Sequence, residues 1–86
     1  MSHFKKIFFD ARELEHPIPL ERSIAILREL GKVNFFYMIH RKNPIPLIDM
    51  ASEQGFMVLN KEDKNGTWHI LITHNPELNL EELCDV

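Results

Sequence analysis

The stretch Pro-Ile-Pro-Leu at Pro17–Leu20 occurs a second time, unchanged, at Pro44–Leu47. Each copy follows an apolar run typical of a β-strand and begins a run whose apolar residues recur every three or four positions, as on one face of a helix. Proline is tolerated in the first turn of a helix, because the N–H groups there have no partner within the helix. The repeat therefore predicts two strand-to-helix turns of the same kind in the first half of the chain.

Working outward from these turns, the sequence predicts the order strand, helix, strand, helix and then a two-stranded hairpin. The predicted strands are 4–9, 33–40, 56–59 and 68–73, and the predicted helices are 17–30 and 44–54. Gly31 and Gly55 are expected to cap the two helices in the left-handed conformation. Asn65-Gly66 predicts the turn of the hairpin, since both residue types tolerate a positive φ.

The predicted fold class is α+β, a two-layer α/β sandwich in which a four-stranded mixed sheet carries two helices on one face. Both helices are expected on the same face because connections between parallel strands cross over with the same, right-handed sense. Residues 1–86 are expected to form a single domain, with 75–86 as a short C-terminal helix or an apolar tail.

The run 33–40 is almost entirely apolar, as is typical of a central strand. Side chains alternate between the two faces of a strand. One set is then Val33, Phe35, Tyr37 and Ile39, and the other is Asn34, Phe36, Met38 and His40. We expect the first set to face the helices and Phe36 and Met38 to lie on the open face with Phe8. There, the C-terminal leucines cover them, or they are scattered surface residues, or they form a contact patch for a partner or a second copy.

The composition of the chain excludes several functional classes of protein. The net charge of −3 lacks the basic footprint of a nucleic-acid-binding protein, and no apolar run approaches the ~20 residues of a membrane helix. The single cysteine, Cys84, excludes an intrachain disulfide and any CxxC motif, and it suits a reducing cytoplasm. We therefore expect a cytoplasmic protein without nucleic-acid or membrane partners.

The carboxyl ends of neighbouring parallel strands lie side by side, and ligands of open α/β sheets bind at that edge. The segment 10–12 should therefore neighbour the end of the second strand, with both proline turns and the beginning of the fourth strand nearby. The predicted site for a ligand or partner consists of Arg12, His16, His40, Arg41 and Trp68.

Three interpretations of this cluster stay open at the level of sequence. The side chains can serve only to cap turns. The two arginines and the two helix N-termini can recognise an anion or an acidic segment of a partner protein. His16 and His40 can bind a metal ion, although zinc would then need Asp10 or Glu13 as a further ligand. No catalytic triad and no glycine-rich phosphate loop is present, so we predict no catalytic residue and no cofactor.

The segment Asp10-Ala11-Arg12-x-Leu14-x-His16-Pro17-x-Pro19 resembles the signature of the TusA/SirA-like sulfur-relay carriers, Asp-x-Arg-Gly-Leu-x-Cys-Pro-x-Pro. In that family the cysteine carries a persulfide between enzymes. Here Glu13 replaces the glycine and His16 replaces the cysteine, so the reactive sulfur atom is missing.

A closer resemblance is to small, uncharacterised TusA-like domains that also lack the cysteine. It rests on Pro17–Arg22 and on the segment His40-Arg41-x-x-Pro44-x-Pro46-Leu47. The resemblance implies a four-stranded mixed sheet with two helices, and it brings no agreed activity.

We therefore predict a non-catalytic TusA-like binding or accessory module, not an enzyme, with a protein partner that the sequence does not identify and with a homodimer as a further option. The alternative is a small metal- or redox-accessory protein that uses His16 and His40.

Overall fold

A computed structural model of the chain describes residues 4–86. Its elements are β1 (Lys5–Asp10), α1 (Ile18–Arg28), β2 (Asn34–His40), α2 (Ile45–Glu53), β3 (Met57–Glu62), β4 (Trp68–Thr73) and α3 (Leu80–Leu83). The predicted order of strands and helices is confirmed, and the C-terminal segment adds the short helix α3. No helix in this part of the chain is long and apolar enough to cross a bilayer.

The strands form one mixed sheet in the order β1-β2-β4-β3. β1 runs parallel to β2, whereas β4 is antiparallel to both β2 and β3. Asp10 pairs with Ile39, and His40 pairs with Trp68. The ends of β1 and β2 and the beginning of β4 therefore meet at one edge of the sheet, which we call the carboxyl edge. The predicted α+β sandwich is confirmed.

Both faces of β2 are buried, but the predicted assignment of its faces was wrong. Phe36 and Met38 belong to the cluster that α1 and α2 cover, together with Leu27, Leu47 and Ala51. The alternation of a strand separates its side chains into two sets, but when both sets are apolar it does not indicate which one the helices cover.

The C-terminal leucines cover the other face of the sheet. Leu78 and Leu80 are buried against Phe35 and Tyr37. Phe8 also lies on this face, with its ring centroid 6.0 Å from that of Tyr37. Of the three options for the second face, cover by the C-terminal leucines is the one observed, although Phe35 and Tyr37 rather than Phe36 and Met38 lie beneath them.

Two of the three predicted glycine conformations are observed. Gly55 follows α2 with a φ of 88°, and Gly66 in the hairpin turn has a φ of 82°. Gly31 does not adopt a positive φ, because α1 has already ended at Glu29. The N–H groups of Glu29 and Leu30 donate to the carbonyls of Ile26 and Leu27, at 3.1 and 3.2 Å. Asn65 also keeps a negative φ, so only the glycine of the Asn-Gly pair is left-handed.

The hydroxyl of Tyr37 ties the C-terminal segment to the sheet. It accepts the backbone N–H of Asp85 (2.9 Å) and donates to Nδ1 of His69 (2.7 Å). Nε2 of His69 in turn donates to Asp63 (3.0 Å), since a carboxylate can only accept. Burial is the main cause that raises the pKa of Tyr37 to about 12, and the hydroxyl therefore keeps the proton it donates.

The first prediction concerns this hydroxyl. Tyr37→Phe should lower the free energy of unfolding by about 1–3 kcal/mol, because it leaves His69 and the Asp85 N–H without their partner. Urea denaturation measures the loss, and faster hydrogen exchange at the Asp85 amide locates it. Asp85→Ala is the matched control, since it keeps the backbone donor and should change stability little. Equal losses in both variants would contradict this role of the hydroxyl.

Candidate functional site

Both Pro-Ile-Pro-Leu segments line one cavity of about 210 Å³ at the carboxyl edge. Its walls come from residues 14–20, which lead into α1, and from residues 38–47, which connect β2 to α2. We call it the proline cavity. The expectation that the two proline turns emerge on a common edge of the sheet is confirmed.

The proline cavity has an apolar floor and a polar rim. Pro19, Met38 and Leu47 are buried and form part of the floor. Two exposed cationic side chains on the rim are Arg41 and Lys42. The cavity therefore suits a ligand that carries both an apolar group and a negatively charged group.

The prolines leave one free amide at the start of each helix. Ile18 and Ile45 donate their N–H groups to loop carbonyls, each at 2.9 Å, and the prolines on either side of them have no N–H. The next amides are those of Leu20 and Leu47, and neither has an acceptor among residues 4–86. Both leucines line the proline cavity. Free amides at a helix N-terminus carry partial positive charge, so they add to the attraction of an anion.

His40 is oriented by the backbone that follows it. Its Nδ1 accepts the N–H of Arg41 (2.8 Å) and, more weakly, that of Lys42 (3.5 Å). Partial burial, and then the charges of these two residues, lower the pKa of His40, with Glu15 opposing them. The ring is therefore neutral around pH 7, and because Nδ1 accepts, the proton is on Nε2, which acts as a donor.

Glu15 already binds a cation of the rim. Its carboxylate lies 3.0 Å from the guanidinium of Arg41, and the two side chains are 81% and 49% exposed. An exposed ion pair of this kind contributes about 0–1 kcal/mol. A carboxylate from a ligand can therefore replace Glu15 on Arg41 at little cost.

The structure brings together three of the five residues predicted from the sequence. His16, which is exposed, His40 and Arg41 line the proline cavity, whereas Arg12 and Trp68 do not. Arg12 forms two hydrogen bonds from its guanidinium to Asp10 (2.9 and 2.8 Å), which hold the pKa of that carboxyl at about 2. Trp68 is half-buried against the cluster beneath the helices.

Glu15 and Lys42 also line the proline cavity, although neither was predicted from the sequence. Each is adjacent in sequence to a residue that was predicted, Glu15 to His16 and Lys42 to Arg41. Neither residue belongs to the motifs of the resemblance. Only their positions next to predicted residues in the sequence could therefore have indicated them.

A metal site at His16 and His40 is not supported. Within residues 4–86, no three His, Cys, Asp or Glu side chains are arranged to hold a metal ion. Nδ1 of His40 is engaged by the backbone, and Asp10, one of the two suggested further ligands, is bound to Arg12. A metal ion would have to displace these bonds.

Comparison with known proteins gives one informative match. No protein-family model matches the chain, and no curated protein sequence does. The crystal structure of the SirA-like protein from Desulfitobacterium hafniense superposes with a TM-score of 0.67 and 27% sequence identity. The match covers 80% of this chain and 99% of that one. The fold implied by the resemblance is therefore confirmed.

The second prediction concerns His40. Its ring should titrate below the ordinary histidine value of about 6.5, and Lys42→Gln should raise its pKa, because a neighbouring positive charge is removed. Since the unfolded chain binds this proton more readily, the contribution of His40 to stability should fall as the pH drops below 6.5. NMR titration of the ring C–H resonances measures both pKa values. Lys64→Gln is the control for charge removal elsewhere, and an ordinary or raised pKa for His40 would contradict the assignment.

Proposed function

We propose that this chain, which has the TusA/SirA-like fold, is a non-catalytic binding module that docks an acidic segment of a partner protein in the proline cavity. The observation that carries the proposal is the position of His16. It lies in this cavity at the place where the sulfur-carrier signature has cysteine. The proposal includes a cytoplasmic location, which the single cysteine suits.

The proline cavity has no atom that could carry sulfur as the sulfur-relay cysteine does. Among residues 4–86, no cysteine, serine or threonine lines it. Cys84 lies on the other face of the sheet, where its sulfur is 4.0 Å from the hydroxyl of Tyr37. An imidazole at position 16 offers a hydrogen-bond donor and acceptor instead of a thiolate nucleophile. Retention of the cavity without the thiol favours binding over group transfer.

The donors of the rim favour an acidic partner. Arg41 and Lys42 offer two positive charges, Nε2 of His40 offers a neutral donor, and the amides of Leu20 and Leu47 offer two more. The apolar floor can accept an aliphatic side chain next to the carboxylate. Because the charged groups are exposed, we expect weak and salt-sensitive binding, as in a transient complex.

Glu15 acts as an internal competitor in this proposal. While its carboxylate is on Arg41, an incoming carboxylate must displace it. The displacement exchanges one exposed ion pair for another, and the other contacts of the partner then determine the affinity.

The third prediction tests the binding surface with a capped peptide of alternating glutamate and leucine. It should shift the ring resonances of His16 and His40 and the amide resonances of Leu20 and Leu47. Titration should extend to about 1 mM, since a millimolar dissociation constant still represents about −4 kcal/mol. Arg41→Gln/Lys42→Gln should weaken the binding several-fold, and Glu15→Gln should strengthen it.

The matched controls for this titration are a peptide of alternating lysine and leucine and the variant Lys64→Gln, which removes an exposed positive charge from the β3–β4 turn. Neither the basic peptide nor this substitution should reproduce the effects. Equal shifts with both peptides, or shifts confined to other surfaces, would rule out an acidic ligand in the proline cavity.

The fourth prediction concerns sulfur transfer. Incubated with a cysteine desulfurase and labelled cysteine, the protein should not accept sulfur and pass it to an acceptor thiol. Cys84→Ala identifies any label that Cys84 collects without passing it on. If the unmodified protein passes sulfur to the acceptor thiol and Cys84→Ala abolishes the transfer, the module is not a binding protein alone.

A further inference from the structure

β1 forms a free edge of the sheet. Among the residues that the structure describes, 4–86, it pairs only with β2. The backbone N–H groups of Lys5 and Ala11 point to that side, where they donate to carbonyl oxygens at 2.8 and 2.9 Å. Successive residues of a strand turn their backbone groups to alternate sides. The N–H and C=O groups of three residues therefore point away from the sheet. These residues are Lys6, Phe8 and Asp10.

The side chains of the same three residues form a stripe on the face that α3 partly covers. The ammonium of Lys6 lies 4.7 Å from the ring centroid of Tyr37, and Phe8 packs beside the same ring. Asp10 follows on this face by alternation. Along the edge, the stripe reads positive charge, exposed aromatic ring, negative charge. Within the chain, the two charges have the exposed partners Asp85 (3.9 Å) and Arg12 (2.8 Å). Phe8 is 54% exposed, a large fraction for a phenylalanine in a strand.

When a second copy of the stripe runs antiparallel to the first, the positive end of each copy lies against the negative end of the other. We propose that two copies of the chain pair through antiparallel β1 strands, with a two-fold axis at Phe8, to form a continuous eight-stranded sheet. Phe8 then faces Phe8 of the second copy, and Lys6 of each copy faces Asp10 of the other. An isologous contact of this kind closes after two subunits and leaves no further free β1 edge.

The backbone hydrogen-bond pattern is compatible with this register. In antiparallel pairs, directly opposite residues either exchange two hydrogen bonds or exchange none. With the axis at Phe8, the pairs that must exchange bonds are 6 with 10, 8 with 8 and 10 with 6. Those are the residues whose N–H and C=O groups point outward. The hydrogen-bond pattern therefore admits this register, as it admits an axis at Ile7 or Phe9, and the charge pattern distinguishes among the three.

Neighbouring registers fit less well. With the axis at Phe9, Lys6 would face Arg12 of the second copy, which is a repulsive pair. With the axis at Ile7, Lys6 would face Phe8 and neither ion pair would form. An axis between two residues would pair an odd-numbered residue with an even-numbered one. Their side chains lie on opposite faces of β1, so the faces of the two sheets would not match. Asp10 is ionised in every usual buffer, because the hydrogen bonds from Arg12 lower its pKa to about 2.

Dimerisation at this edge leaves the proline cavity accessible. The two-fold axis is perpendicular to the sheet, so both pairs of helices lie on the same face. The antiparallel strands direct the two carboxyl edges in opposite directions. Each cavity therefore stays open at its own end of the dimer, and the interface can be tested separately from partner binding.

Sedimentation equilibrium of the full chain over a range of concentrations tests the pairing. The average mass should rise from that of one chain towards that of two. Lys6→Asp and Asp10→Lys should each weaken dimerisation about tenfold, because both ion pairs become like-charge pairs. An equimolar mixture of the two variants should restore the affinity, since every 6–10 pair then joins opposite charges.

Two controls carry the same changes in charge away from the stripe. They are Lys5→Asp, whose side chain points to the other face, and Asp49→Lys on α2; neither should weaken the dimer. Chemical-shift spectra of each variant establish that it is folded. In the unmodified dimer, the Phe8 amide should be protected from hydrogen exchange at high concentration and not at low concentration. A chain that stays monomeric up to about millimolar concentration, or a mixture of variants that does not recover, would overturn the proposal.

Discussion

The structure depends on the pairing of β2 with β1 on one side and β4 on the other. Four consecutive residues, Phe35–Met38, are at most 3% exposed, so this strand supplies buried side chains to both faces of the sheet. Burial of each large apolar side chain contributes about 1.5–3 kcal/mol, and a short chain has few such positions. The same pairing aligns the end of β1 with the end of β2. Since each helix starts just after one of those strands, the two proline turns come to face one another.

The proline turns determine the chemistry of the cavity as well as its place. In an ordinary helix start, several N–H groups are free to bind a ligand or a capping side chain. In both helices here, two of these positions are prolines and one amide is used in the turn, so a single leucine amide remains. Most polar groups that this edge can offer to a ligand therefore belong to the side chains of the rim. His40 contributes a donor whose orientation the backbone sets, and Arg41 contributes a charge that Glu15 holds in place.

The sequence was sufficient for the element order, the strand that lies at the centre of the sheet and the meeting of the proline turns, because each of these follows from local periodicity and from the handedness of crossovers. The sequence was insufficient where two different structures would have the same pattern of apolar and polar residues. Both faces of β2 are apolar, so only the packed structure distinguishes the helix side. Arg12 was expected at the ligand site, but a carboxylate two residues away captures it. Trp68 has the predicted position beside His40, yet its side chain packs against the core.

His16 is exposed, and no residue of the core clusters depends on it. Position 16 can therefore exchange one side chain for another with little effect on folding stability. In a protein of this architecture, a reactive group at this turn is separable from the framework that presents it. Neutral drift at position 16 can thus change the chemistry of the turn while the cavity around it stays intact.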